Sequence, residues 1–132
     1  MTNLAPLIAK LQAWTMETGD FHSDRQLADE VLIADGWKCE PDESFEGGVR
    51  WFWGTNPQIS ASESSRPHVI NDLNTAIGVV PFGCNWQIEM RNNRAEAQVW
   101  AQGKIPHGCL GRSERPSVAI LIAALRYKQA HP

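Results

Sequence analysis

The residues of this sequence best suited to chemistry are five arginines. Arg50 lies in Val49-Arg50-Trp51-Phe52-Trp53, Arg91 and Arg94 flank Asn92-Asn93, and Arg112 and Arg115 edge a long loop that opens onto a helix start. Guanidinium groups hold phosphates bidentately, aromatic faces stack on bases, and a helix N-terminus attracts anions. The candidate ligand-binding set is therefore Arg50, Trp51, Arg91, Arg94, Arg112 and Arg115. If these groups converge, the ligand they suit is anionic and nucleotide-like. The plainer reading is that Trp51 and Trp53 alternate as core residues and that scattered arginines are ordinary surface.

Metal and acid–base chemistry have weaker signals. His107 and Cys109 stand one residue apart, with His22 or His68 as further donors, but the second close ligand pair of a structural zinc site is missing. No metal site and no cofactor is expected. Asp20-Phe21-His22 sets an acid near a histidine, yet no Ser or Cys nucleophile stands in a GxSxG-type turn. Glu89 and Glu96 become neighbouring carboxylates in the hairpin register derived below, where two arginines beside them favour a surface role. No P-loop or GxGxxG is present, and Gly108-Cys109-Leu110-Gly111 lacks the spacing of a phosphate cradle.

These residues must be positioned by a mixed set of elements. Leu4, Leu7, Ile8, Leu11 and Trp14 form one helical stripe, with Pro6 in the first turn. A second helix is signalled by Ser23-Asp24-Arg25-Gln26, buries Leu27, Ala28, Val31 and Leu32, and ends at Gly36. Trp37 to Glu40 and Val49 to Trp53 read as a hairpin with a long connection. Residues 54–67 read as an exposed loop, followed by a third helix capped by Asn71 and stopped by Pro81.

The clearest hairpin runs from Trp86 to Trp100 around Asn92-Asn93, a two-residue turn with positive φ. That turn pairs Met90 with Ala95, Ile88 with Ala97 and Trp86 with Val99 on an apolar face. On the other face it sets Arg91 opposite Arg94, Glu89 opposite Glu96 and Gln87 opposite Gln98, a solvated polar surface. Residues 102–115 read as a second loop. Pro116 then opens a last helix whose Val118 to Leu125 are apolar nearly all round, as a buried helix should be.

Composition narrows the class. A chain of 132 residues, 42% hydrophobic with six Trp, suits one domain over residues 1–132 that needs no disulfide or metal to fold. A formal net charge of -3 argues against a protein built to coat nucleic acid. No segment reads as a signal peptide or a membrane span. Cys39, Cys84 and Cys109 are odd in number and widely spaced, so the expectation is reduced, mostly buried thiols and a cytoplasmic setting.

Several ordered segments resemble one family. They are the LIAKLQAW helix, Ala34-Asp35-Gly36-Trp37, the run from Pro67 through Ile77, Trp86-Gln87-Ile88-Glu89, Ala95 through Trp100, and Ala119 through Leu125. In order and spacing, over nearly the whole chain, they resemble the phage ABA-sandwich domain family of tailed phages and prophages. The chain departs from that pattern where Val69 and Ile70 stand in place of an aromatic and a Ser or Thr.

The resemblance implies an α+β fold: a three-layer α/β/α sandwich whose antiparallel sheet is built from two hairpins, with helices packed against it. It also implies a setting in the cytoplasm of a bacterial host, and no transferable catalytic residues. The expected function is then a non-catalytic phage or prophage accessory protein that binds a host component. One version is counter-defence by sequestering a nucleotide-derived signal. Two alternatives are a structural or protein-interaction homo-oligomeric module and, ranked last, a small hydrolase using His22, His68 or His107.

Overall fold

A computed structural model describes residues 3–14, 21–104 and 109–131. In chain order the elements are α1 (Ala5–Gln12), α2 (Phe21–Asp35), β1 (Trp37–Pro41), a 3-10 turn (Glu46–Gly48), β2 (Val49–Trp53), β3 (Asn56–Ala61), α3 (Leu73–Ile77), β4 (Cys84–Arg91), β5 (Arg94–Ala101), β6 (Cys109–Ser113) and α4 (Pro116–Ala130). The chain is α+β, as expected. Its strands form two separate antiparallel sheets, in the orders β1-β2-β3 and β4-β5-β6, instead of one sheet made of two hairpins.

The difference comes from the two segments expected to be loops. Residues 56–61 pair with β2, Trp51 opposite Ala61 and Phe52 opposite Ser60, and residues 109–113 pair with β5, Val99 opposite Cys109 and Ala95 opposite Ser113. Each hairpin thereby takes a third strand of its own beside its second strand, leaving β1 and β4 as sheet edges. The register of β4 and β5 is the expected one throughout, from Arg91 opposite Arg94 to Trp86 opposite Val99. Asn92 and Asn93 have φ of 51° and 63°, the twin left-handed residues of a type I′ turn whose twist matches its strands.

The helices also shift in detail. α2 begins at Phe21, ahead of the Ser23 signal, and ends at Gly36, which takes φ +110° and lies against the Trp53 ring. α3 is only five residues long, and its cap is Asp72, which accepts from the Asn74 N–H at 2.9 Å, in place of Asn71. Leu73 is exposed, while Ala76 and Val79 are buried.

α4 organises the core. Every residue from Ser117 to Leu125 is buried, and the helix lies over Ala95, Ala97 and Val99 of β5 and over β6. Burying each Val, Leu or Ile side chain there stabilises the fold by roughly 1.5–3 kcal/mol relative to exposure. At Gly111 of β6 an added Cβ would lie 2.2 Å from the Ala119 carbonyl oxygen and 2.7 Å from the Ala123 nitrogen. Helix and strand backbones are therefore nearly in contact, which the small residues on both sides permit. The buried residues of α1, α2, Trp51 and α4 belong to one apolar cluster.

Candidate functional site

The two faces of each sheet decide what the arginines can reach. Arg50 and Trp51 are sequence neighbours and so point to opposite faces of β2. The Arg50 guanidinium lies over Phe52 (4.9 Å to the ring centre) and Phe45 (5.9 Å), donates to the Pro57 carbonyl at 2.6 Å, and pairs with Glu40 at 3.4 Å. Trp51 is buried on the other face beneath the Arg66 guanidinium, 5.4 Å from the ring centre. The two therefore do not share a stacking site.

Arg115 is committed inside the protein. Its guanidinium donates to both carboxylate oxygens of Asp24, at 3.1 and 3.0 Å, and to Asn71 at 3.4 Å. Asp24 is buried and also accepts from the Trp14 indole N–H at 2.6 Å. This network ties the start of α2 to the start of α4. Beside it, Ile70, Asn71, Leu73, Arg115, Pro116 and Ser117 line a cavity of about 280 Å³.

The other three arginines share one surface, the face of β4-β5-β6 opposite α4. Arg91 stands directly across from Arg94, and Arg112 directly across from Glu96. Arg91 pairs with Glu89 at 2.8 Å and Arg112 with Glu96 at 2.9 Å. Arg94 makes no side-chain hydrogen bond or ion pair with the described residues. Asn85, Gln87, Gln98, Trp100 and Leu110 complete the face through the same strand alternation. Of the six residues in the candidate set, the structure brings together Arg91, Arg94 and Arg112, and places Arg50, Trp51 and Arg115 elsewhere.

Three charged contacts give no signal in the sequence. Arg66, almost fully buried, pairs with Asp29 at 2.6 Å and with Glu63 at 2.7 Å. Arg25 donates to the Glu63 carbonyl at 2.6 Å and touches His68; burial, then the charge of Arg66, lowers its pKa. Lys128 near the end of α4 bonds Asp35 at the end of α2, and burial pushes its pKa down to about 8. Apart from Arg66 and Glu63, which are three positions apart, these partners lie 37 to 93 positions apart in sequence, so no local pattern could mark them.

The nucleophile candidates gain no activation. All three thiols are free; Cys39 is exposed, contrary to the expectation of mostly buried thiols, and Cys84 and Cys109 are half-buried. Partial desolvation, then the nearby Glu63 and Asp29 carboxylates, raises the pKa of Cys39, and burial raises that of Cys109, the opposite of what an attacking thiolate needs. His68 lies against the Arg25 guanidinium. Asp20, His107 and the side chain of His22 lie outside the described residues. Among the described residues no three His, Cys, Asp or Glu side chains are placed to share a metal ion, and no helix is long and apolar enough to cross a membrane.

No family model, no curated protein and no solved structure matches the chain.

Proposed function

We propose that the chain is a non-catalytic binding module whose contact surface is the polar face of β4-β5-β6. The observation that carries this is the alignment of Arg91, Arg94 and Arg112 with Glu89, Glu96 and the half-buried Trp100 on one sheet face, opposite the face that α4 buries. Alternating charges of both signs suit a protein partner whose own charges alternate. A phosphate-rich ligand would be repelled by Glu89 and Glu96, and Arg115, with its charge compensated by Asp24, adds little to attract one. The occupant that best fits is therefore a host protein, ahead of a nucleotide-derived signal.

With the phage ABA-sandwich resemblance, this is the work of a phage or prophage accessory protein in the cytoplasm of a bacterial host. The layered α/β/α arrangement belongs to the same proposal. Affinity capture from bacterial lysate tests it by comparing the native chain with Arg94→Glu/Arg112→Glu. One host protein should be retained by the native chain and lost at least tenfold with the reversed charges. Equal retention by both would remove this face from the function. A thermal shift with cyclic or linear nucleotides, abolished by the same substitutions, would move the assignment to the nucleotide ligand.

A further inference from the structure

β4 differs from the other sheet edges. An edge strand presents unpaired N–H and C=O groups, and proteins blunt such edges with proline, charge or a covering group. In the first sheet, β1 ends in Pro41 and β3 contains Pro57. In the second sheet, the Arg126 guanidinium donates to the Leu110 carbonyl on β6 at 2.7 Å. β4 spans eight residues without proline and pairs with β5 without a bulge.

The two-residue turn fixes which groups of β4 face outward. Arg91 and Arg94 close the turn, so the backbone groups of Arg91, Glu89 and Gln87 point to β5, and those of Met90, Ile88 and Trp86 point away from the sheet. Among the described residues, the contact recorded along that edge is at its very start, where the Cys84 N–H donates to the Pro81 carbonyl at 3.1 Å. α4 sits over β5 and β6 and leaves β4 largely uncovered on the apolar side. Trp86 is consequently 42% exposed and Met90 56%, with Ile88 between them. Phe82, just before the strand, is fully exposed.

We propose that two copies of the chain pair antiparallel along β4, about a two-fold axis at Ile88, to join two three-stranded sheets into one of six. A two-fold perpendicular to the sheet keeps the faces of both copies aligned, so the registers it allows centre on a residue. Centring on Ile88 sets Ile88 against its own copy and Trp86 against Met90, which joins the two exposed apolar side chains across the half-buried Ile88. On the polar face it sets Gln87 against Glu89 and Asn85 against Arg91, with no like charges directly opposed. Centring on Glu89 would set two carboxylates face to face, which is unfavourable. The partner's Asn92-Asn93 turn would then arrive beside Phe82. The polar faces of the two copies become continuous, so the dimer extends the proposed contact surface without depending on it.

Sedimentation equilibrium of the full chain up to about 1 mM, where even a weak dimer with millimolar Kd would register, tests the pairing. A concentration-dependent rise from 14.7 kDa toward twice that mass is expected. Ile88→Lys, which places two ammonium groups at the axis, should raise the dissociation constant at least tenfold. A monomer at every concentration overturns the proposal. Cysteine trapping decides independently of how well that variant folds. Gln87→Cys and Glu89→Cys chains mixed together should yield a disulfide from 87 to 89, mapped by peptide mass, while neither variant alone joins at the new cysteine. An 87–87 or 89–89 bond, or no bond at any of these positions, overturns this register. Host-protein capture unchanged in Ile88→Lys would leave the binding reading intact whichever way the pairing falls.

Discussion

The two sheets have the same strand count and the same antiparallel order, but they are held by different physics. In the β4-β5-β6 half, α4 lies so close to β6 that Gly111 has no room for a side chain, and the facing residues are Ala95, Ala97, Val99 and an apolar helix. In the β1-β2-β3 half the close contacts are ionic and aromatic. Arg66 bridges Asp29 of α2 and Glu63 while covering Trp51, and Trp37 meets Trp53 edge to face at 5.9 Å. The first half is specified by shape and resists change in volume. The second is specified by partners and resists loss of charge. β5 and β6 can present their polar side chains steadily because α4 packs against their other side, nearly backbone to backbone at Gly111.

Gly111→Ala should break the first half most severely. Its Cβ would meet a carbonyl oxygen at 2.2 Å and the Ile122 Cβ at 2.9 Å, atoms of a buried helix that cannot rotate aside. A loss of about 3 kcal/mol or more is expected, read from the urea midpoint. Stability within about 1 kcal/mol of the native chain would mean that α4 can draw back freely, and the contrast between the halves would fall.

Arg66→Ala should cost less, about 2 kcal/mol, and only in the second half. Breaking a fully buried pair costs about 3–5 kcal/mol, but Asp29 and Glu63 keep 27% and 47% of their side-chain exposure and can rehydrate when the arginine leaves. A double-mutant cycle with Asp29→Ala should show coupling of about 1 kcal/mol. Zero coupling would leave Glu63 and the Trp51 ring to account for the effect.

How far the sequence could foresee this contrast depends on the range of the interactions. The β4-β5 register was legible because Asn92-Asn93 fixes it locally, and α4 was legible because an apolar run with Pro116 ahead of it has few other uses. β3 and β6 were not. Asn56-Pro57-Gln58-Ile59-Ser60-Ala61 and Cys109-Leu110-Gly111-Arg112-Ser113 carry little alternation or β-propensity and become strands by pairing with β2 and β5. The single expected sheet became two for that reason. Within the candidate set, Arg91 and Arg94 were placed correctly by the same turn. The pairing of Arg115 with the buried Asp24, 91 residues away, depends on tertiary packing that no local spacing encodes.

Lys128 joins the halves and gives the smallest and most pH-specific effect. Burial lowers its pKa to about 8, while its bond to Asp35 favours the charged form. An unfolded lysine stays protonated to about 10.4, so between these values the unfolded chain binds more protons and stability must rise with pH. The gain from this group between pH 8 and 9 is about 1 kcal/mol. Cys39 and Cys109, whose thiols are pushed up, act with the opposite sign over the same range, so the stability curve alone does not isolate it. The carbon-13 shift of the Lys128 ε carbon does, and its midpoint should fall near 8. Asp35→Asn should lower it further by removing the carboxylate that holds the charge. A midpoint near 10.4 would show that the ion pair outweighs burial. The seam between the halves would then belong with the charge-held sheet and not with the helix that carries the lysine.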